Sequence, residues 1–308
     1  MKIIRNLTSI PFQHCVAAIG NFDGVHLGHQ AVLADLKNLA IHVNLPAVAI
    51  LFEPQPGEFF RASEAPARLT TFQEKITQIA KQQLDAIFCV RFQQSFADLT
   101  AEDFVVQVLV NKLGIKALFV GDDFRFGKHR QGSVETLQMF AQQYHFTLKA
   151  VPTALWQNKR ISSTRVRAAL QQADFELARH LLGRPYQLSG RVIHGDKRGT
   201  QIGFPTANIL LKRHVSPLRG VFVVRVFGLG KQRYGVANIG SRPTVDGSRW
   251  LIEIHIFEFS QTIYGQKLQI EPMKKLREEI QFTSLASLTA QIAVDVDTAE
   301  DYCKDLDK

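Results

Sequence analysis

Close to Gly183–Tyr186 the 308-residue chain changes rhythm. Before that point, short apolar runs alternate with amphipathic stretches such as GHQAVLADLKNLAIHV and TTFQEKITQIAKQQ. The runs are VAAIG (16–20), AVAILF (47–52), AIFCVRF (86–92), ALFVGDD (117–123) and FTLKAV (146–151). Runs without polar alternation read as strands buried on both faces. Their alternation with helices implies a parallel sheet with right-handed crossovers, whose ligands sit beyond the carboxyl ends of the strands. After the change, SGRVIHG, RGVFVVRVFG, QRYGVANIG and RWLIEIHIFEF succeed one another with glycine punctuation and no helical period. That pattern predicts an antiparallel barrel or sandwich, closed by a last amphipathic helix, SLASLTAQIAVDVDTAEDYCKDL. The expected fold class is α/β, with a parallel-sheet domain over residues 1–183 and an antiparallel β domain over residues 184–308.

Composition excludes several classes. The chain is 45% hydrophobic and 21% charged, without low-complexity tracts, which is ordinary globular material. No window approaches the roughly 18 uninterrupted apolar residues of a membrane span, and the N-terminus lacks the form of a secretory signal. A cytoplasmic protein with no membrane partner is expected. Cys15, Cys89 and Cys303 are far apart and form no CxxC or Cys/His cluster, which argues against disulfides and zinc. The net charge of +9 suits an anionic partner. Lys and Arg are scattered beside glycine and hydroxyl residues rather than gathered in a tail, so phosphate sites are favoured over a nucleic-acid surface.

Four strings carry chemistry. IGNFDGVHLGHQAVL (19–33) places Asn21, Asp23, Gly24, His26, Gly28 and His29 between a strand end and a helix start. Backbone N–H groups at a helix start attract phosphate, glycines admit it, and imidazoles donate to its oxygens. RISSTRVRAAL puts Ser162, Ser163, Thr164 and Arg165 at another helix start, which reads as an anion site or as an ordinary N-cap. HGDKRGTQIGFPTAN sets Gly195, Gly199 and Gly203 around Lys197 and Arg198, either as a phosphate loop or as a plain turn between strands. Its Thr206 and Asn208 face one side if extended, and both offer the hard oxygens that Mg²⁺ takes. In LIEIHIF, Glu253 interrupts an apolar run, as a proton acceptor or an exposed strand carboxylate would.

GNFDGVHLGH resembles the HxGH signature of the nucleotidyltransferase superfamily. Together with FEPQP (52–56), GDDFRFGKHRQG (121–132), RISSTRVRAAL (160–170) and GDKRGTQIGFPTAN (195–208), it makes the whole chain similar to the prokaryotic bifunctional riboflavin kinase/FAD synthetase family. The resemblance implies a Rossmann-like N-terminal domain that makes FAD from FMN and ATP, releasing pyrophosphate. It also implies a C-terminal six-stranded barrel that makes FMN from riboflavin and ATP. Riboflavin, FMN, FAD and ATP are the implied partners, Mg²⁺ the implied cofactor, and a monomer is expected, with no nucleic acid bound.

By the same resemblance His26 and His29 serve adenylyl transfer, and Asn21, Asp23, Gly24, Gly28, Ser162, Ser163, Thr164 and Arg165 hold ATP. Phe52, Pro54, Arg68, Asp123, Phe124 and Arg277 lie at flavin. In the kinase half Gly195, Lys197, Gly199 and Gly203 hold ATP, Thr206 and Asn208 hold the metal, and Glu253 accepts the proton. Two departures stand out. Gln55 occupies the position where relatives usually carry His, and Ser260 and Thr262 replace residues that are often acidic. A different HxGH enzyme, an aminoacyl-tRNA synthetase fragment or a basic RNA-binding protein are the rival readings. Against the synthetase stand the absence of a KMSKS-like string and the β-rich half, and none of the rivals explains why Glu253 and GFPTAN occur in one chain.

Overall fold

The computed structural model describes residues 1–5, 10–61, 64–195, 199, 202–244 and 247–306. They group by packing into two compact units. One comprises Met1–Pro66 and Phe72–Ser163, the other Ala67–Thr71 and Thr164–Lys308. The change of rhythm at Gly183–Tyr186 thus lies inside the second unit, which also takes in the two helices before it.

The first unit is a parallel sheet. Its strands are β1 (Lys2–Ile4), β2 (Cys15–Ile19), β3 (Ala47–Glu53), β4 (Ala86–Arg91), β5 (Ile115–Gly121) and β6 (Thr147–Val151), in the order β1-β4-β3-β2-β5-β6. Every neighbouring pair is parallel. Five of the six were expected; β1 adds a short edge strand. Helices cross between them: α1 (Leu27–His42), α2 (Pro56–Phe60), α3 (Phe72–Ala80), α4 (Gln94–Ala97), α5 (Ala101–Asp103, running on as a π-helical stretch over Phe104–Val110) and α6 (Val134–Gln143). Two-sided burial explains the uninterrupted apolar strands. Val16, Ala18, Ala49 and Leu51 face one apolar cluster with Leu33, Leu36 and Ala40 of α1. Ala17, Ile19, Val48 and Ile50 face another. Leu33, Leu36 and Ala40 recur at the spacing of one helical face. A short hairpin, β7 (Leu155–Trp156) with β8 (Lys159–Arg160), completes the unit.

The strand order reverses between β2 and β5. In such sheets this switch point opens a crevice at the carboxyl ends of the strands. The turn after β2 and the GDDF turn after β5 therefore flank the same crevice.

The second unit begins with α7 (Ser163–Gln171, its first residue counted with the other unit) and α8 (Phe175–Leu182), which Gly183 closes in the left-handed conformation, φ 70°. Six antiparallel strands follow: β9 (Leu188–Ile193), β10 (Ala207–Leu211), β11 (Gly220–Phe227), β12 (Arg233–Thr244), β13 (Gly247–Ile256) and β14 (Lys267–Arg277). They close into a barrel in the order β10-β13-β12-β11-β14-β9. Of the two antiparallel architectures, the barrel is realised. Ile239, Ile252, Ile254, Leu268 and Ile270, all fully buried, lie at strand positions that fill its interior. Outside, Val221, Val223 and Val236 pack against Val296, Ala299 and Cys303 of the last helix, α9 (Leu285–Leu306). The three cysteines are buried free thiols, and burial pushes that of Cys15 up to about 12.

Candidate active sites

The turn after β2 is tightly wound. Gly20 N–H donates to Ile50 O, and three of the next residues take left-handed backbone: Phe22 at φ 46°, Gly24 at φ 81° and Val25 at φ 44°. For glycine this is free; for β-branched Val25 it costs of the order of 1–3 kcal/mol, which the surrounding packing must hold. Phe22, Asp23, Val25 and His26 are buried, whereas Asn21 is exposed. The strain aims His26 at the start of α1, where its Nδ1 accepts the backbone N–H of His29 at 3.3 Å. An Nδ1 that accepts this bond leaves the Nε2 side of the ring to donate elsewhere.

His29 lies on its neighbour, ring centroids 3.6 Å apart and 16° from parallel, with Phe22 edge-on at 5.2 Å. Burial, the adjacent His26 and the charge of the fully buried Lys75 on α3 lower its pKa well below 6.5. His29 is therefore a neutral imidazole stacked on the His26 ring. Between them, Gly28 is required by space. A Cβ there would stand 3.2 Å from the His26 ring, and no left-handed φ is involved.

The remaining N-terminal candidates separate. Ser163 Oγ donates to the carbonyl of Asp23 at 2.8 Å, tying the start of α7 to the histidine turn. Ser162 precedes it, and Thr164 and Arg165 follow in the first helical turn, Thr164 exposed. After β5, Asp123 pairs with Arg160 at 2.8 Å and Asp122 accepts from Thr153 at 2.7 Å. Phe124 stacks on Phe126, ring centroids 5.6 Å apart. Phe52 is buried in a cluster with Phe92 and Phe96, and Pro54 follows a cis bond from Glu53. Arg68 belongs to the short segment counted with the second unit, where its carbonyl accepts from buried Arg213 at 2.7 Å. Gln55 at the start of α2 has its backbone N–H held by Glu58 at 3.0 Å.

In the barrel, pairing decides the geometry. Glu253 on β13 is the register partner of Asn208 on β10 and, on its other side, of Asn238 on β12. Both Glu253 oxygens accept from Arg242 Nη2 at 2.9 Å. The glycines of the preceding loop are close-fitted. A Cβ at Gly195 would collide with the Asn208 amide, and one at Gly199 would run into the Phe204 carbonyl and crowd Thr206. Gly203, at φ 86°, has open space and serves the turn itself. Lys197 lies outside the described residues. Arg277 ends β14. Its Nε and Nη2 donate to both oxygens of Asp295 at 2.7–3.0 Å, and Phe282 lies under its guanidinium at 5.8 Å.

Sequence reasoning missed Arg242, Asn238, Lys75 and Asp295. Only Arg242, in the string IGSRPT, carries a visible signal, a cation beside a glycine in a β run. A cavity of about 630 Å³ is lined by Lys2, Pro46, Asp85 and Ala86 among others. It opens at the amino ends of the strands, away from the histidines.

Comparison with known proteins follows the same division. The model of the FAD synthetase family matches residues 10–165 and that of the riboflavin kinase family residues 182–303. The bifunctional riboflavin kinase/FMN adenylyltransferase of Escherichia coli strain K12 is 48% identical over 306 residues, 98% of either chain. That of Haemophilus influenzae is 46% identical, covering 98% of this chain and 99% of its own. Among solved structures, a macrolide-efflux protein from Streptococcus pneumoniae superposes with a TM-score of 0.78 at 28% identity. The match covers 95% of this chain and 96% of that one.

Proposed function

Because the chain belongs to the bifunctional riboflavin kinase/FMN adenylyltransferase family, we propose that its two reactions run at two separate sites built from the residues above, with the functional boundary at Gly183/Arg184. The enzyme phosphorylates riboflavin to FMN and adenylylates FMN to FAD. One observation carries the division of labour: the histidine stack and Glu253 lie in different compact units, each beside the groups that its own reaction needs.

In adenylyl transfer an FMN phosphate oxygen attacks the α-phosphorus of ATP, and the bond to the β-phosphate breaks to release pyrophosphate. The nucleophile is already ionised near neutral pH, so no strong base is needed. His26 and the neutral His29 suit this step, because each can donate a hydrogen bond to a phosphate oxygen on which charge grows. The N-terminus of α1 and Gly24 offer backbone N–H groups to the same phosphates. Ser162 adds a hydroxyl to the same anion site, while Ser163 holds the histidine turn in place. Phe124 and Asp123, at the far side of the switch point, bound the flavin.

In the kinase step the nucleophile is a neutral primary alcohol. Glu253 takes its proton as the oxygen attacks the γ-phosphorus and ADP departs. Arg242 already occupies both carboxylate oxygens, so the alcohol must share or displace that contact. Thr206 and Asn208 would hold Mg²⁺ through a hydroxyl and an amide oxygen, hard donors of the kind it takes; Gly195 and Gly199 let the preceding loop lie directly against them, and the ion would neutralise charge on the transferring phosphoryl group. Among the described residues no group of three His, Cys, Asp or Glu competes as a metal site. No described helix is long and apolar enough to cross a membrane. Incubation with riboflavin, ATP and Mg²⁺, with products separated by chromatography, should yield FMN and then FAD. Folded protein that makes neither would overturn the assignment.

A further inference from the structure

The barrel register carries one row of residues around five strands. Asn208 pairs with Glu253, Glu253 with Asn238, Asn238 with Val221 on β11, and Val221 with Arg277 on β14. Directly opposed residues share a face of the sheet. Buried Ile209, Ile239, Ile252 and Ile254 alternate with them along the strands and fill the interior, so the row faces outward. Its two charged members are engaged, Glu253 by Arg242 and Arg277 by Asp295. Asn238 differs. Its Oδ1 is buried and accepts no hydrogen bond among the described residues. Buried amides are ordinarily satisfied, and one left open beside a reacting carboxylate calls for a partner that arrives with the substrate.

We propose that Asn238 is a substrate-binding residue of the kinase reaction, pairing its amide with a secondary hydroxyl of the ribityl chain whose terminal hydroxyl Glu253 deprotonates. This rests on the reading of Glu253 as proton acceptor. The direction follows from the row. Thr206 and Asn208 stand on one side of Glu253 and are assigned the metal and nucleotide. An in-line transfer leaves the rest of the alcohol on the opposite side, toward Asn238. Adjacent strands are about 4.8 Å apart, so a chain held at Glu253 passes Asn238 within hydrogen-bond reach. A hydroxyl both donates and accepts, and it satisfies the amide in either orientation.

The test uses the full-length enzyme and the variants Asn238→Ala and Asn238→Leu, the second preserving volume. Substrates are riboflavin and analogues that each lack one secondary ribityl hydroxyl. Because the buried Oδ1 of Asn238 accepts no hydrogen bond among the described residues, both variants should unfold at or above the wild-type temperature and convert added FMN to FAD at the wild-type rate. Their kcat/KM for riboflavin should fall about tenfold, the scale of one lost hydrogen bond. For one analogue the penalty should vanish, because the partner is missing from both sides. An equal loss with every analogue, no loss with riboflavin, or a loss accompanied by a lower unfolding temperature overturns the proposal. Wild-type enzyme that fails to phosphorylate riboflavin overturns the underlying reading of Glu253 first, and this inference with it.

Discussion

Replacing Gly28 by alanine should separate catalysis from stability in the N-terminal half. The added Cβ would stand 3.2 Å from Cε1 and Nδ1 of the His26 ring and 3.6 Å from the Cβ of Ala154. Comfortable carbon contacts lie at about 3.5–4.0 Å, so the ring must retreat by roughly 0.3–0.8 Å. The capping bond from His29 N–H is already long at 3.3 Å and would be lost. A lost N-cap costs about 1 kcal/mol, whereas Gly→Ala inside a helix returns roughly 0.5–1 kcal/mol. The two nearly cancel, so thermal unfolding should move by only a few degrees. Catalysis has no such compensation. A misplacement of about 1 Å can cost roughly 100-fold, so about half that shift should lower FMN adenylylation by about tenfold. Riboflavin phosphorylation in the same sample is the internal control and should not change. A folded Gly28→Ala enzyme that makes FAD from FMN within twofold of wild type would refute the claim that this glycine exists to place the His26 ring.

Two further expectations concern stability. His29 is held neutral in the fold, with its pKa well below 6.5, while in the unfolded chain it takes up a proton as pH falls through about 6.5. The unfolded state then binds more protons, so stability is full above that pH and declines below it, by up to about 1.4 kcal/mol per pH unit. His29→Gln should flatten that decline in denaturant titrations between pH 7 and 5, and an unchanged slope would refute the assignment. Asp295, buried on α9, accepts from Arg277 and from Gln291 at 3.0 Å. Removing it strands a mostly buried guanidinium, so Asp295→Ala should destabilise the barrel by about 3 kcal/mol in urea unfolding, and Asp295→Asn by less.

The sequence announces its central strands because both faces are buried and no polar residue interrupts them. Strand β1 escaped notice because three residues at an edge carry no period. Strand β14 was masked differently. Lys274, Lys275 and Arg277 give KKLREEIQF the look of a solvated helix face, and only the pairing of Val221 with Arg277 reveals a strand. The histidine string could be read because its residues are neighbours in the chain and its strand-helix context is local. The capping by His26, the reason for Gly28 and the charge of Lys75 beside His29 could not. They depend on ring orientation and on a helix some 46 residues away. The kinase site shows the same limit more sharply. Glu253 and Asn208 are legible in the sequence and Asn238 is not, and that the three stand in one row follows from strand register alone.

The account's central claim, two chemistries at two independent sites in one chain, is tested most directly by a paired variant measurement. Purified His29→Ala and Glu253→Ala enzymes are each given riboflavin or FMN with ATP and Mg²⁺, and flavin products are separated by chromatography. The expected result is complementary: His29→Ala converts riboflavin to FMN and stops there, while Glu253→Ala leaves riboflavin untouched but still converts added FMN to FAD. If either folded variant loses both conversions, or if both variants retain both, the two-site account is contradicted.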